Sequence, residues 1–553
     1  MALFAEKEVK RKQLIRNWVI ATSLANLCFI GSWNHLLYPP SKGYYLEQVA
    51  TWSNFAAVMI NVLLLTIVFG FSATYVHRLK EHYLILARWT FVIVTLFSIN
   101  AVRIEVFGPL TFTSVAAQIG KPGTMISFLV TACLLVVVVM RWKGQIIGMA
   151  QALILILSPF TIVTFSKATT QVLYNAYSVT ASRSNSIDHC LRPQVKSRVV
   201  WIIFDELDYR AAFVARPDSV QLPELDRLHA ESLFATNAYP PAGMTILSIP
   251  SLVSGKRFFR AREIGPSQLA LNAVGGETVL WQSQPSVFSR VLAMGGKTGI
   301  AGWYHPYCRV LANVLTRCSW NRIASESERY CRGFFKCMVD GFWKSAFSVS
   351  LLRPVLPKPI DQNNTKDDYV HFIRRSLDQA KELAVDTSLT LVLIHYPAPH
   401  PPCVYDRWKD DYTSTSDCNY LDSLELVDRT LGDLRSSMES AGVWDQTTVL
   451  LSSDHWWRTN IWEKEPSWTK EEAHLLADRT DRRVPFMLKL AGPRGELSYN
   501  SQFNTVISQD LLLTILRGEL STPQQVAIWL DQHQSSDSYL PTNLPDTAQM
   551  GTH

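Results

Sequence analysis

Charge is scarce in the first third of this 553-residue chain, and that scarcity excludes a protein bathed in water along its whole length. CxxC spacing is missing: none of the nine cysteines is so paired, which removes a cysteine-ligated zinc site. A basic patch interleaved with aromatics is missing too. The net charge is only +6 and is not gathered into one segment, which excludes the electrostatic footprint that nucleic acid demands. No internal repeat is present.

What is present begins with apolar length. Hydrophobic residues make up 48% of the chain, with 17 Trp, and the excess sits at the front. Five apolar stretches, roughly 15–38, 50–76, 83–102, 124–140 and 144–166, each approach the ~20 residues that cross a bilayer as a helix. Arg88 lies inside the third, close enough to its end to snorkel. A large buried helical domain is the alternative, disfavoured by five runs with so few charges.

The basic residues set an orientation. Lys7, Lys10, Arg11, Lys12, Arg16, Arg78, Lys80, Arg141 and Lys143 fall on one side of the five stretches. The other side, up to residue 166, holds only Lys42, Arg103 and Lys121. The positive-inside rule puts the amino terminus in the cytoplasm, and an odd number of spans delivers everything after about 167 outside. The first run lacks a convincing cleavage site and is read as retained. The expectation is a multi-pass protein of the inner (plasma) membrane with a periplasmic domain. Cysteine usage agrees. Cys28 and Cys133 fall in apolar stretches, while Cys308/Cys318, Cys331/Cys337 and Cys403/Cys418 are close pairs that suit short-loop disulfides, leaving Cys190 over.

The expected domains are a transmembrane region over 1–166, a juxtamembrane linker over 167–197, a polar domain over 198–533 and a disordered tail over 534–553. In the polar domain, β-branched or apolar runs (Arg198 to Phe204, Lys297 to Trp303, Leu389 to Ile394, Thr447 to Leu451, Val484 to Leu490) alternate with helical patterns. Those patterns include Tyr369 to Leu383 and Leu421 to Ala441. That alternation predicts an α/β fold with a mostly parallel central sheet, whose ligands gather at the carboxyl ends of strands.

Four segments carry the chemistry. Asp205-Glu206 ends the first run, where a carboxylate pair can cap the next helix, join an ion-pair network with Asp208 and Arg210, or bind metal. Thr245 follows a Pro/Gly-rich loop at a helix start, as an N-cap or as a nucleophile whose alkoxide the helix terminus stabilises. His395 and His400 lie in a Pro-rich segment, idle or facing a ligand. Asp454-His455, after Val449 to Ser453, can bring both side chains to one metal.

In this order the segments resemble the alkaline phosphatase/sulfatase superfamily, and more closely its membrane-anchored transferase branch. That branch includes phosphoethanolamine transferases and lipoteichoic-acid synthases. The likeness rests on Ile203-Phe204-Asp205-Glu206, on Thr245-Ile246-Leu247-Ser248-Ile249-Pro250, on Ser453-Asp454-His455 and on Val484-Pro485-Phe486, and it covers nearly the whole chain. The resemblance implies that Thr245 is the nucleophile. It implies that Glu206, with Asp205 as the alternative, joins Asp454, His455 and Thr245 around a divalent metal, zinc by preference. It also implies that His400 binds the transferred phosphoryl group or a second metal. The donor would be a membrane phospholipid, with phosphoethanolamine ahead of phosphoglycerol, and the acceptor an envelope lipid or glycan. The close cysteine pairs suit the phosphoethanolamine branch.

Three departures stand out. The Cys/Ser-x-Pro-x-Arg signature of sulfatases is absent at Thr245, which disfavours sulfate esters as substrates. Trp456-Trp457 replaces the usual Gly after Asp454-His455. The family's later histidine has no clear counterpart, leaving His474 and His305 as substrate-binding candidates. Two other readings therefore stand beside the transferase: a phosphodiester hydrolase using the same site, and a non-catalytic membrane sensor or assembly protein.

Overall fold

The computed structural model describes residues 2–46, 49–78, 80–107, 112–182, 195–322, 331, 333–349, 365–414, 417–475, 480–492 and 495–533. The expected tail, most of the later half of the linker, and Cys190 lie outside them. Contacts divide the chain into two compact units. One draws on Met1–Pro40, Gln48–Asn185 and Glu328–Asp361, the other on Ser41–Glu47, Ser186–Ser327 and Gln362–His553.

The first unit is helical. Trp52–Tyr75, Glu81–Glu105 and Gly144–Leu173 are long and apolar enough to cross a membrane, as their sequence predicts. The first expected stretch is broken: Glu6–Cys28 and Ile30–Leu37 meet at 62° and count as a fourth span only if taken together. The Trp33 indole donates back to Asn26 Oδ1 at 2.9 Å across that break, and Thr164 Oγ1 donates to the same oxygen at 3.1 Å. The fourth expected stretch, 124–140, is helical within Phe112–Ile156 but is not among these candidates, and most of its side chains lie outside the described residues. The backbone departs from helix at Trp142, which separates it from the last candidate span.

One helix of this unit, Phe334–Val349, comes from the middle of the expected polar domain. Its start is tied by the Cys331–Cys337 disulfide. Asn61 Nδ2 donates to the Met338 carbonyl at 2.9 Å, and Asn54 Nδ2 reaches Cys331 Sγ at 3.1 Å. Two amides on an otherwise apolar helix thus find partners in a segment that sequence order would place elsewhere.

The second unit is built on an eight-stranded sheet. In chain order its strands are β1 Arg198–Asp205, β2 Leu233–Ala235, β3 Thr298–Gly302, β4 Arg317–Trp320, β5 Leu391–Pro399, β6 Thr447–Ser453, β7 Phe486–Lys489 and β8 Leu497–Tyr499. Their order across the sheet is β8-β2-β7-β6-β1-β5-β3-β4. β7 is antiparallel to both neighbours and every other pairing is parallel. The sheet is the mostly parallel one that the sequence predicts.

β1 shows why it sits at the centre. Val200, Ile202 and Phe204 enter a core on one face, shared with Ile373, Leu377, Leu424 and Leu431 of the helices Thr365–Val385 and Tyr420–Ser440. Val199, Trp201 and Ile203 enter the core on the other face with Leu252, Leu512 and Ile515. Period-two alternation with both faces covered requires an unbroken apolar run, which is what Val199 to Phe204 supplies. Each fully buried side chain of this size contributes about 1.5–3 kcal/mol. The disulfides Cys308–Cys318 and Cys403–Cys418 form in this unit between the pairs that spacing suggests.

Candidate metal centre and nucleophile

The carboxyl ends of the neighbouring strands β1 and β6 hold the chemistry. They are stitched together by Ser453, whose Oγ accepts from the Leu207 N–H and lies within hydrogen-bond reach of the Phe204 carbonyl, both at 2.9 Å. Asp205, Asp454 and His455 converge there, completely buried, each offering one ligand atom within 4.8 Å of the others. Thr245 is the first residue of the helix Thr245–Ser254, whose Ile249, Leu252 and Val253 share a core with Val199, Trp201 and Ile203. Its N-cap is Met244, so Thr245 does not serve as the cap and its hydroxyl is free for other work. Thr245 Oγ1 donates to Asp205 Oδ2 at 3.3 Å and lies 3.2 Å from His455 Nε2.

Protonation makes the cluster informative. His455 Nδ1 faces the Trp456 carbonyl at 2.9 Å, and a carbonyl only accepts, so Nδ1 carries the hydrogen and Nε2 is a bare lone pair. Burial holds the His455 pKa well below its usual value, so the ring is neutral. That lone pair points at Asp205 Oδ1 and Asp454 Oδ2, both 3.4 Å away. Neither oxygen has a hydrogen-bond partner. Three buried ligand atoms facing one another at this range suit a cation, which would satisfy all three at once. Burial, and then the Asp454 charge, push the Asp205 pKa well up, and burial lifts Asp454 to about 7. The donor set of two oxygens and one imidazole nitrogen, with the Thr245 oxygen beside it, fits a divalent metal such as zinc.

Glu206 does not join this set. Its backbone turns through φ 71°, a left-handed conformation uncommon for a side chain this long, held by the Tyr420 hydroxyl, which donates to the Glu206 carbonyl at 2.8 Å. The Glu206 carboxylate is instead taken by Arg458 Nε and by the Trp462 indole, the latter at 3.1 Å. The preference for Glu206 over Asp205 as the ligand is therefore corrected: the turn sends successive carboxylates to different places. Only the Glu206 N–H touches the cluster, donating to Asp454 Oδ1 at 3.3 Å.

The histidines divide. His395, inside β5 rather than after it, is fully buried, and its unpartnered Nε2 lies 3.8 Å from Asp205 Oδ2. Its Nδ1 meets the Tyr307 hydroxyl at 2.8 Å. His400 is half-buried with its ring 5.0 Å from that of Trp303. Burial lowers its pKa to about 4, opposed by the Glu206 charge. His305 is completely buried behind Thr245 and touches its backbone rather than its hydroxyl. His474 is exposed on the short helix Lys470–Leu475 and joins none of these contacts.

Arg458, Trp462 and Tyr420, which fix Glu206, carry no signal in the sequence beyond lying near Asp454-His455 or at a helix start. The two tryptophans that replace the family glycine are wall residues. Trp457 stacks on Tyr420 with centroids 4.0 Å apart. Trp456 lies under Arg482 and so close to Gly243 that a Cβ there would come within 2.4 Å of its ring.

A mostly parallel α/β sheet with buried acids, an imidazole and a hydroxyl at its strand ends is the fold and site of this chain. Residues 197–517 match the sulfatase family model, and the chain belongs to the sulfatase family. Several solved structures are similar to it at low identity. The PsFucS1 sulfatase from Pseudoalteromonas sp. is 16% identical over 59% of this chain and 69% of its own, with a TM-score of 0.38. The phosphonate monoester hydrolase SpPMH from Silicibacter pomeroyi is 14% identical over 58% and 73%, at 0.35. An alkaline phosphatase superfamily protein from Vibrio parahaemolyticus is 14% identical over 62% and 74%, also at 0.35. No curated protein matches the chain.

Proposed function

We propose that this protein is a membrane-embedded transferase that moves a phospho-substituent from a membrane phospholipid to an envelope lipid or glycan through a phospho-threonine intermediate. Phosphoethanolamine is the first candidate for the group and phosphoglycerol the second. The observation that carries the reading is the placement of Thr245 Oγ1, 3.3 Å from Asp205 Oδ2 and 3.2 Å from the bare nitrogen of His455. The absent sulfatase signature at Thr245 turns the reading from sulfate esters to phosphodiesters.

Asp205, Asp454 and His455 would hold the divalent cation, zinc by its donor set, which when bound supplies Lewis-acid stabilisation and a lowered hydroxyl pKa. Thr245 Oγ attacks phosphorus; its proton passes to Asp205, and the P–O bond to diacylglycerol breaks as that oxygen takes a proton from solvent. The helix Thr245–Ser254 aims the positive end of its dipole at the phosphoryl oxygens. His400 and His395 offer polar contacts from the β5 side. An acceptor oxygen then attacks phosphorus, loses its proton, and Thr245 recovers its own as the Oγ–P bond breaks. Apolar helices give the donor a reason to stay in the bilayer. The basic-residue bias supports a periplasmic active site.

The test is mass spectrometry of lipids and envelope glycans from cells carrying the wild type or Thr245→Ala. Loss of the modified acceptor with the variant still folded is the expected outcome; undiminished modification sinks the mechanism. Membership of the sulfatase family favours a second reading, hydrolysis with water as acceptor. Product released without acceptor at a rate matching transfer would establish it.

A further inference from the structure

His305 stands behind the nucleophile, completely buried, with both ring nitrogens engaged. Its Nε2 lies 3.2 Å from the Thr245 backbone carbonyl, and its Nδ1 lies 2.9 Å from the Tyr44 hydroxyl. A carbonyl only accepts, so Nε2 carries the hydrogen; Nδ1 is then a lone pair that accepts a hydrogen bond from the Tyr44 hydroxyl. The direction of the chain is fixed throughout: Tyr44 O–H to His305, His305 N–H to the Thr245 carbonyl.

Tyr44 comes from an unexpected place. It belongs to Ser41–Glu47, which lies in sequence between the first two apolar stretches yet is part of the catalytic unit. The side chain is 0% exposed. Arg309 Nη2 donates to the Tyr44 carbonyl at 2.7 Å, and the Arg309 guanidinium rests on the Trp320 ring at 4.7 Å. The His305 ring is packed edge-on by Trp281 at 4.8 Å and Tyr304 at 5.0 Å. These neighbours fix the plane of the imidazole, the Thr245 carbonyl fixes its hydrogen on Nε2, and Tyr44 holds the opposite nitrogen.

We propose that Tyr44 is a positioning residue for the nucleophile, holding from behind the His305 imidazole that anchors the Thr245 backbone and so directs Oγ1 at the metal cluster. Nothing in this chain of bonds touches the reacting group. Its effect is on orientation, where a small misplacement costs rate rather than binding. The inference rests on the reading of Thr245 as nucleophile.

The test uses the full-length protein in lipid nanodiscs with purified phospholipid donor. Tyr44→Phe removes one hydroxyl and keeps the ring. It is expected to lower kcat by roughly tenfold, with KM and bound metal unchanged. His305→Ala should lower kcat further, and the double variant should match His305→Ala alone, because Tyr44 acts through the imidazole. A wild-type kcat in Tyr44→Phe, or independent losses that multiply in the double variant, overturns the proposal. Nitrogen-15 spectra of the histidines give a second readout that needs no turnover. The Nδ1 resonance of His305 should shift in Tyr44→Phe as its hydrogen bond is lost, with the Nε2–H tautomer retained, and an unchanged spectrum also overturns it. If Thr245→Ala proves active, the nucleophile reading fails, while the spectra still decide whether Tyr44 holds the imidazole.

Discussion

Asp205-Glu206 and Asp454-His455 are two adjacent pairs at the ends of two adjacent parallel strands, yet they behave differently. In the second pair both side chains reach one cluster, because His455 falls in the bend just past β6. In the first, the left-handed turn at Glu206 separates the carboxylates: Asp205 faces Thr245 and Glu206 faces Arg458 and Trp462. The difference teaches that adjacency at a strand end says nothing about shared direction. What decides is which residue takes the turn and what catches its side chain. Here Tyr420 catches the Glu206 carbonyl and a buried ion pair catches its carboxylate.

The contrast breaks most visibly through the metal. Asp205→Asn and Asp454→Asn should each strip the bound metal and lower transfer by at least about 10³-fold. Glu206→Gln should keep the metal at full stoichiometry. Elemental analysis of the purified variants reads this, and metal lost from Glu206→Gln but kept by Asp205→Asn would reverse the assignment.

A smaller effect belongs to the ion pair. Glu206→Gln leaves the Arg458 charge without its buried partner, and Arg458 keeps only 18% side-chain exposure. A loss of about 2–3 kcal/mol is expected, below the full figure for a buried pair because Arg458 retains that contact with water. Thermal unfolding measures it, and an unchanged midpoint would mean that Glu206 is not held as described.

The smallest effect is in pH. Asp205 and Asp454 are acids with raised pKa values, the latter about 7, so the metal-free folded protein keeps protons that the unfolded chain has released. Their contribution to stability is complete below about pH 4 and is lost as pH rises through about 7. Metal-stripped protein should therefore melt at lower temperature near pH 8 than near pH 5. Metal-loaded protein, and stripped Asp454→Asn, should show a flatter dependence. Equal slopes in all three would show that the two carboxylates do not share the cluster.

The sheet was legible where a run was long and one-sided in chemistry. Val199 to Phe204 could only be a strand buried on both faces, and Thr447 to Ser453 likewise. The strands Leu233–Ala235 and Leu497–Tyr499 are three residues each, too short for a period to show. Thr245, Asp454 and His455 were legible as a constellation, since their side chains name a chemistry and strand ends bring them together. Arg458 and Tyr420 were not, because an arginine and a tyrosine acquire meaning only from what they touch. The helix Phe334–Val349 and residues 41–47 were assigned by sequence order to the wrong units. Their membership is decided by contacts such as Tyr44 to His305, 261 positions apart.

That separation bears on how the protein is made and how it can be cut. Tyr44 leaves the ribosome long before β3 and His305 exist, so one hydrogen bond of the finished site waits for most of the chain to be synthesised. A fragment that starts at Arg198 contains Asp205, Asp454, His455 and Thr245 but leaves His305 Nδ1 without its donor. The unit that holds Thr245 is thus not contiguous in sequence; one of its supports is supplied by a segment that precedes the helix Trp52–Tyr75.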